Sequence, residues 1–285
     1  MHTLLISAAE LQQLQARGAP VTVIDCSFDL MNPEAADTLF AEVHIAGAQQ
    51  AHLDRDLSAK DTLQAVNGGR HPLPRRNLVA AWLGRIGVDN ATQVVVYDRN
   101  GCNYCGRLWW MLKWLGHDAV AVLDGGLQAW QAASGAVESG PARPVAAREF
   151  TLGEPLRELV DTATVSARLG QAGQTVVDAR GAPRYRGEVE PLDPVAGHIP
   201  GALNRPFPMN IGADGLFKPA SQLREEFEAL LAGRDPATVV HHCGSGVSAV
   251  PNILAMEVAG LGSTALYAGS WSEWCTTPGL PCAKG

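Results

Sequence analysis

The 285-residue chain has no run of about 18 apolar residues, so nothing in it reads as a transmembrane helix. It also lacks the basic start and long apolar stretch of a secretory leader. The opening MHTLLISAAELQQLQARG reads instead as a first helix, with Ser7 as N-cap and Glu10 three residues on. Basic residues are in the minority, 22 Lys and Arg against 29 Asp and Glu, and the net charge of −7 argues against nucleic acid or an acidic membrane surface as partner. Charged residues of all kinds reach only 18% against 46% hydrophobic, which excludes a disordered chain and leaves ample material for a core. Cysteine is scarce: six thiols are too few for a disulfide-stapled secreted domain and point to reduced thiols in the cytoplasm. Two of them form the lone CxxC, Cys102-Asn103-Tyr104-Cys105, and no second ligand pair completes a zinc site. That motif reads as packing or as a reversible disulfide, and no metal or organic cofactor is expected.

What the chain does have is itself, twice. VTVID at 21–25 answers QTVVDA at 174–179, HIAGA at 44–48 answers HIPGA at 198–202, VVVYDR at 94–99 answers TVVHHC at 238–243, and AVLDGGLQAW at 121–130 answers ALYAGSWSEW at 265–274. The last two pairs share one offset of 144 residues (238 less 94, 265 less 121), which puts Arg99 opposite Cys243. Four matches in one order mean two copies of a domain. The Gly-, Ala- and Pro-rich stretch before Phe150 lacks any periodicity, so the expected organisation is a domain over 1–135, a linker over 136–149 and a domain over 150–285. Within each copy, short β-branched runs alternate with helical stretches. That alternation predicts an α/β fold with a parallel sheet flanked by helices on both faces and ligands at the carboxyl ends of the strands. The tryptophans at 109, 110, 114, 130, 271 and 274 are candidates for packing positions.

One such strand end stands out. VVHHCGSGVSAV at 239–250 runs from an apparent strand through a thiol and a glycine-serine loop into an apparent helix. Glycines let successive N–H groups turn inward as an anion nest, and a helix start adds positive charge, so both favour thiolate over thiol at Cys243. A cysteine-dependent phosphatase also begins His-Cys, but it needs an arginine six positions on, where this chain has Ala249. A loop from Cys243 to Ser248 suits a thiolate that attacks sulfur and then keeps a persulfide among the same amides.

At these residues the chain resembles the tandem-domain rhodanese family of sulfurtransferases, over nearly its whole length. HIPGALNRPF is similar to the family's mid-domain signature, LDGGLQAW and YAGSWSEW to its closing motifs, and only the second copy carries the thiol. CGSGVS, which comprises Cys243, Gly244, Ser245, Gly246, Val247 and Ser248, is similar to the loop of 3-mercaptopyruvate sulfurtransferases rather than to the more basic loops of thiosulfate-preferring members. The resemblance implies a Ser-His-Asp relay of Ser245, His71 (from HPLP) and Asp54 (from AHLDRDLS), in a cleft between the domains. It also implies an arginine pair for the donor's carboxylate. Arg184 matches the first, whereas the second falls in Pro191-Leu192-Asp193-Pro194, which leaves Arg186 as the neighbouring basic residue. The expected activity is transfer of sulfane sulfur from 3-mercaptopyruvate, through a Cys243 persulfide, to a small thiol, cyanide or reduced thioredoxin. The alternatives are a thiosulfate:cyanide sulfurtransferase and, from a different class, a persulfide carrier or redox-sensing module without turnover.

Overall fold

A computed structural model of the chain describes all 285 residues and divides them into two compact units. Unit 1 comprises Met1–Gln64, Pro74–Leu156 and Ala213–Phe217; unit 2 comprises Ala65–Leu73, Arg157–Gly212 and Lys218–Gly285. No helix is long and apolar enough to cross a membrane.

Unit 1 contains strands β1 (Leu5–Ile6), β2 (Val21–Asp25), β3 (His44–Ile45), β4 (Gln49–Gln50), β5 (Gln93–Tyr97), β6 (Val120–Leu123) and β7 (Val137–Glu138). Its helices are α1 (Ala8–Ala16), α2 (Ala35–Glu42), α3 (Arg76–Arg85), α4 (Cys105–Trp114) and α5 (Gly126–Ala132). The parallel sheet runs β1-β6-β5-β2-β4, while β3 and β7 form a separate antiparallel pair. Side chains alternate across the central strands. Val23, Val95, Tyr97, Ala121 and Leu123 enter one core with Leu11, Phe40, Leu127 and Trp130. The alternate positions Ile24, Val94, Val96 and Val122 are buried as well, and α4, all ten of whose residues are buried, packs on β5 and β6. A strand covered on both faces must be apolar throughout, which is why QVVVY shows no polar alternation. The capping box at the start of α1 is present: Ser7 accepts from the Glu10 N–H and Glu10 reaches back to the Ser7 N–H.

Unit 2 repeats the plan with β8 (Leu159–Val160), β9 (Thr175–Asp178), β10 (Leu203–Asn204), β11 (Val239–His242) and β12 (Ala265–Tyr267), again all parallel, in the order β8-β12-β11-β9-β10. Its helices are α6 (Thr162–Ala167), α7 (Ala182–Tyr185), α8 (Ala220–Leu231), α9 (Val250–Val258) and α10 (Ser270–Trp274). The repeated motifs have structural work in both units. Each HIxGA histidine stacks on an aromatic ring at 3.9 Å, His44 on Phe40 and His198 on Tyr185, and each places Nδ1 2.8 Å from a backbone carbonyl. Trp130 and Trp274 each donate their indole N–H to a carbonyl just downstream, Ala136 and Pro281.

Three expectations change. The register sets Tyr97 beside Asp25 and His242 beside Asp178, and the Leu127 and Trp271 amides donate to the carbonyls of Asp98 and Cys243. The counterpart of Cys243 is therefore Asp98, not Arg99; the constant offset of 144 slips by one residue at β5 and β11. The stretch after Gly135 is no free linker. It carries β7, and Gly140 and Arg148 donate backbone bonds to Ala41 and Gly84 within unit 1. Finally, residues 65–73, read as part of the first copy, pack with unit 2: the Gly68 amide donates to Glu273 Oε1 and the Arg70 amide to Ser272 Oγ.

His241 on β11 is fully buried, its Nε2 3.2 Å from Met256 Sδ. Burial, helped by His242 and Arg205, pushes its imidazole from the ordinary 6.5 down to about 3. The unfolded chain takes up a proton below 6.5 that the folded chain refuses. This part of the stability is thus whole above 6.5 and erodes as pH falls toward 3. His241→Gln removes the effect, so its melting temperature should fall less steeply than the parent's across that window. Parallel curves would contradict the assignment.

Candidate active site

β11 ends at His242, in the middle of the sheet of unit 2, and the chain then turns through Cys243–Ala249 before α9 begins at Val250. The turn is pinned from α10. The Trp271 amide donates to Cys243 O at 3.0 Å, the Ser272 amide to Gly244 O at 2.9 Å, and the Cys243 amide to Ser270 Oγ at 3.1 Å. Gly246 is obligatory here, because its φ is +73° and a Cβ would lie 2.3 Å from Ala268 O. With its carbonyls drawn toward α10, the loop presents amides. Those of Gly244, Ser245, Val247 and Ser248 make no hydrogen bond within the chain, and α9 has no side-chain N-cap. Such a cradle stabilises an anion at the loop's centre. Cys243, at the head of this loop, is buried, with 2% exposure.

Two residues along, Ser245 Oγ lies 2.7 Å from Nδ1 of His71, both side chains buried. The 65–73 segment of unit 2 thus delivers the histidine to the loop. Behind the thiol stands a charged layer. Asp178, at the end of β9, grips Arg180 through Nε and Nη2, at 3.1 and 2.7 Å, and Arg180 lies over the Trp271 ring at 4.8 Å. Burial alone would push the Asp178 carboxyl up; the facing His242 and Arg180 reverse this and hold it below its ordinary value. Burial pushes the His242 imidazole down, leaving a neutral ring whose Nδ1 is 3.2 Å from Cys243 O. Arg184 binds Glu190 Oε1 at 2.6 Å and Asp193 Oδ2 at 3.2 Å, and Arg70 binds Asp193 Oδ1 at 2.6 Å. Both guanidiniums reach Gly244: a Cβ there would lie 2.9 Å from Arg70 Nη2 and 3.5 Å from Arg184 Nη1.

Comparison with known proteins matches the Rhodanese-like domain twice, at residues 7–133 and 161–277. The chain belongs to the rhodanese family. It is 46% identical, over 98% of its own length and all of the other's, to a probable 3-mercaptopyruvate sulfurtransferase of Pseudomonas aeruginosa. It is 37% identical to a putative thiosulfate sulfurtransferase of Mycobacterium tuberculosis, over 99% of this chain and 97% of the relative. Among solved structures, the 3-mercaptopyruvate sulfurtransferase of Leishmania major superposes with a TM-score of 0.81 at 29% identity, over 98% of this chain and 76% of that one. This rhodanese is a sulfurtransferase of the tandem type.

The rhodanese loop gathers Cys243, Ser245 and His71, with Gly244, Gly246, Val247 and Ser248 forming its wall, and brings Arg184 beside it. Asp54 belongs to unit 1, where its carboxylate lies 2.8 Å from Lys60 Nζ. Arg186 makes an exposed ion pair with Glu188, and the guanidiniums that reach Gly244 are those of Arg70 and Arg184. Cys102 and Cys105 are free, buried thiols of unit 1, and burial together with the neighbouring Cys102 pushes the Cys105 thiol well up. Sequence reading missed Arg180 and Arg70. The signal for Arg180 was its place two residues beyond the end of β9, the strand adjoining β11. Arg70 had only its position beside His71.

Gly246→Ala should cost more than about 1 kcal/mol, from strained backbone and the clash with Ala268, and should abolish sulfur transfer. Gly201→Ala, at φ +77° with nothing within 4 Å of the new Cβ, adds strain without a clash and should keep activity. Calorimetry and a transfer assay on both variants check this; equal losses of activity would contradict it.

Proposed function

We propose that this enzyme takes sulfur from 3-mercaptopyruvate and passes it to a thiol through a persulfide on Cys243. The observation that carries this reading is the 2.7 Å contact between Ser245 Oγ and His71 Nδ1 beside the thiol. The Cys243 thiolate attacks the donor's sulfur, a sulfur–sulfur bond forms, and the sulfur–carbon bond breaks with its electron pair left on carbon. The departing enolate of pyruvate then needs a proton, which a hydroxyl hydrogen-bonded to an imidazole can deliver. Thiosulfate would release sulfite, a stable anion with no such need, so a buried Ser–His pair favours the carbon leaving group. The names of the Pseudomonas and Leishmania proteins support the same donor.

In the second half of the cycle, the acceptor's nucleophile, a thiolate or the carbon of cyanide, bonds to the outer sulfur of the persulfide, and the sulfur–sulfur bond breaks to regenerate the Cys243 thiolate. A small thiol, cyanide or reduced thioredoxin meets this requirement. A reducing cytoplasm suits a chain whose six cysteines are all free. The loop amides serve both anions of the cycle, the thiolate and the persulfide.

Ser245→Ala should lower turnover of 3-mercaptopyruvate roughly 100- to 10,000-fold while changing the thiosulfate rate by less than about tenfold. Initial rates with the two donors, on parent and variant, decide the matter. Faster parental turnover of thiosulfate, or an equal loss on both donors, would contradict the reading.

A further inference from the structure

Unit 1 has a cavity of about 200 Å³ that the sulfur chemistry leaves unused, between the stretch from Arg55 to Ala59 and the α3 residues Leu78, Trp82 and Arg85. Its charged residues differ in how far they are committed. Arg55 is taken, with both Nη atoms on the Asp37 carboxylate at 2.7 and 2.5 Å. Arg85, exposed on the last turn of α3, forms no ion pair. Asp56 forms none either; its Oδ2 accepts from the His52 amide at 2.8 Å. Burial pushes the Asp56 carboxyl up, as expected of an acid with too little positive charge around it. Ser58 lines the same cavity at 5% exposure, and its Oγ finds no hydrogen-bond partner within the chain. A buried hydroxyl without a partner is costly, so a native fold rarely keeps one that nothing entering the site can satisfy.

We propose that this cavity binds a small free α-amino acid, with its carboxylate on Arg85, its ammonium on Asp56 and Ser58 Oγ completing the hydrogen bonds. Charge selects the class. With Arg55 cancelled by Asp37, the lining contributes one guanidinium and one carboxylate. A zwitterion answers both, whereas a phosphate would meet Asp56 and a plain amine would meet Arg85. Size agrees: at about 30 Å³ for each water of liquid, the cavity has the volume of about seven waters, hence room for a ligand of about seven non-hydrogen atoms. Leu78, Val79 and Trp82 supply an apolar wall, which suits a short apolar side chain. The site also has a place in the chain's path. Gln64 and Pro74, on either side of the 65–73 segment, both line it, and the Arg75 amide closes the stem on Gln64 O at 2.9 Å. An occupant therefore braces the stem of the segment that carries His71 to Ser245.

The probe is L-2-aminobutyrate, a zwitterion of this size with an ethyl side chain and no thiol to react at Cys243. Calorimetry on the full chain should show one site with Kd on the order of 0.1–1 mM. Butyrate, propylamine and inorganic phosphate should each bind at least about tenfold more weakly, because each leaves a charge of the cavity unanswered. Arg85→Gln, at an exposed residue without an ion pair, should weaken binding of the probe roughly 10- to 100-fold and leave the melting temperature of the ligand-free protein unchanged. Asp56→Asn should erase the preference over butyrate; if that variant does not fold, Arg85→Gln decides alone. Amide hydrogen exchange locates the site, since the probe should slow exchange at Arg75. No binding up to about 10 mM, equal binding of butyrate or phosphate, or an unchanged Kd in Arg85→Gln overturns the proposal. So does slowed exchange in the Cys243 loop with none at Arg75.

Discussion

An anion can be kept at the end of a buried parallel strand only if the surrounding amides have no better partner, and everything distinctive in this chain follows from how that condition is met. The loop after the central strand of each sheet, β5 in unit 1 and β11 in unit 2, meets it with different occupants. In unit 1 the occupant is permanent: Asp98 Oδ1 accepts from the amides of Asn100 and Cys102, and Oδ2 from those of Tyr104 and Cys105, at 2.8–3.1 Å. In unit 2 the corresponding residue is Cys243, and the amides of Gly244, Ser245, Val247 and Ser248 make no hydrogen bond within the chain. The first loop shows what the backbone of this fold does with a negative charge. Under the proposed function, the second offers the same geometry to a sulfur atom that comes and goes.

The charged layer near Cys243 brings guanidiniums up to that loop while tying each of them to an acid. Asp178, Glu190 and Asp193 are buried acids, each tied to arginine: Asp178 to Arg180, Glu190 to Arg180 and Arg184, and Asp193 to Arg184 and Arg70. Burying carboxylates and guanidiniums is costly unless they are mutually satisfied, so the network rigidifies as a block. Two of its arginines end beside Gly244. Burial pushes the His242 imidazole down, and the proposed proton chemistry falls to the hydrogen-bonded Ser245–His71 pair instead.

Much of this was legible in the sequence because it depends on local chemistry. The duplicated β-branched runs become two sheets of one topology, and the glycines around Cys243 become the turn their positions demand. What the sequence did not yield depends on register and on packing at a distance. A constant offset could not reveal the one-residue slip that replaces Arg99 by Asp98 as the counterpart of the thiol. Residues 65–73 fall in the stretch assigned to the first copy, yet they fold with unit 2 and carry both Arg70 and His71. Arg186 looked as useful as Arg184, two residues apart on a short helical turn. On that turn, however, Arg184 meets Glu190 and Asp193 while Arg186 meets Glu188 at the surface.

The central claim is that the amide loop holds captured sulfur on one side chain. Treating the fully reduced enzyme with a single equivalent of 3-mercaptopyruvate in the absence of an acceptor, then alkylating and mapping every cysteine by mass spectrometry, tests it most directly. The account predicts one added sulfur atom on Cys243 alone, matched by an equal amount of pyruvate. Sulfur found instead on Cys102, Cys105 or any other cysteine, or pyruvate released with Cys243 unmodified, would contradict it.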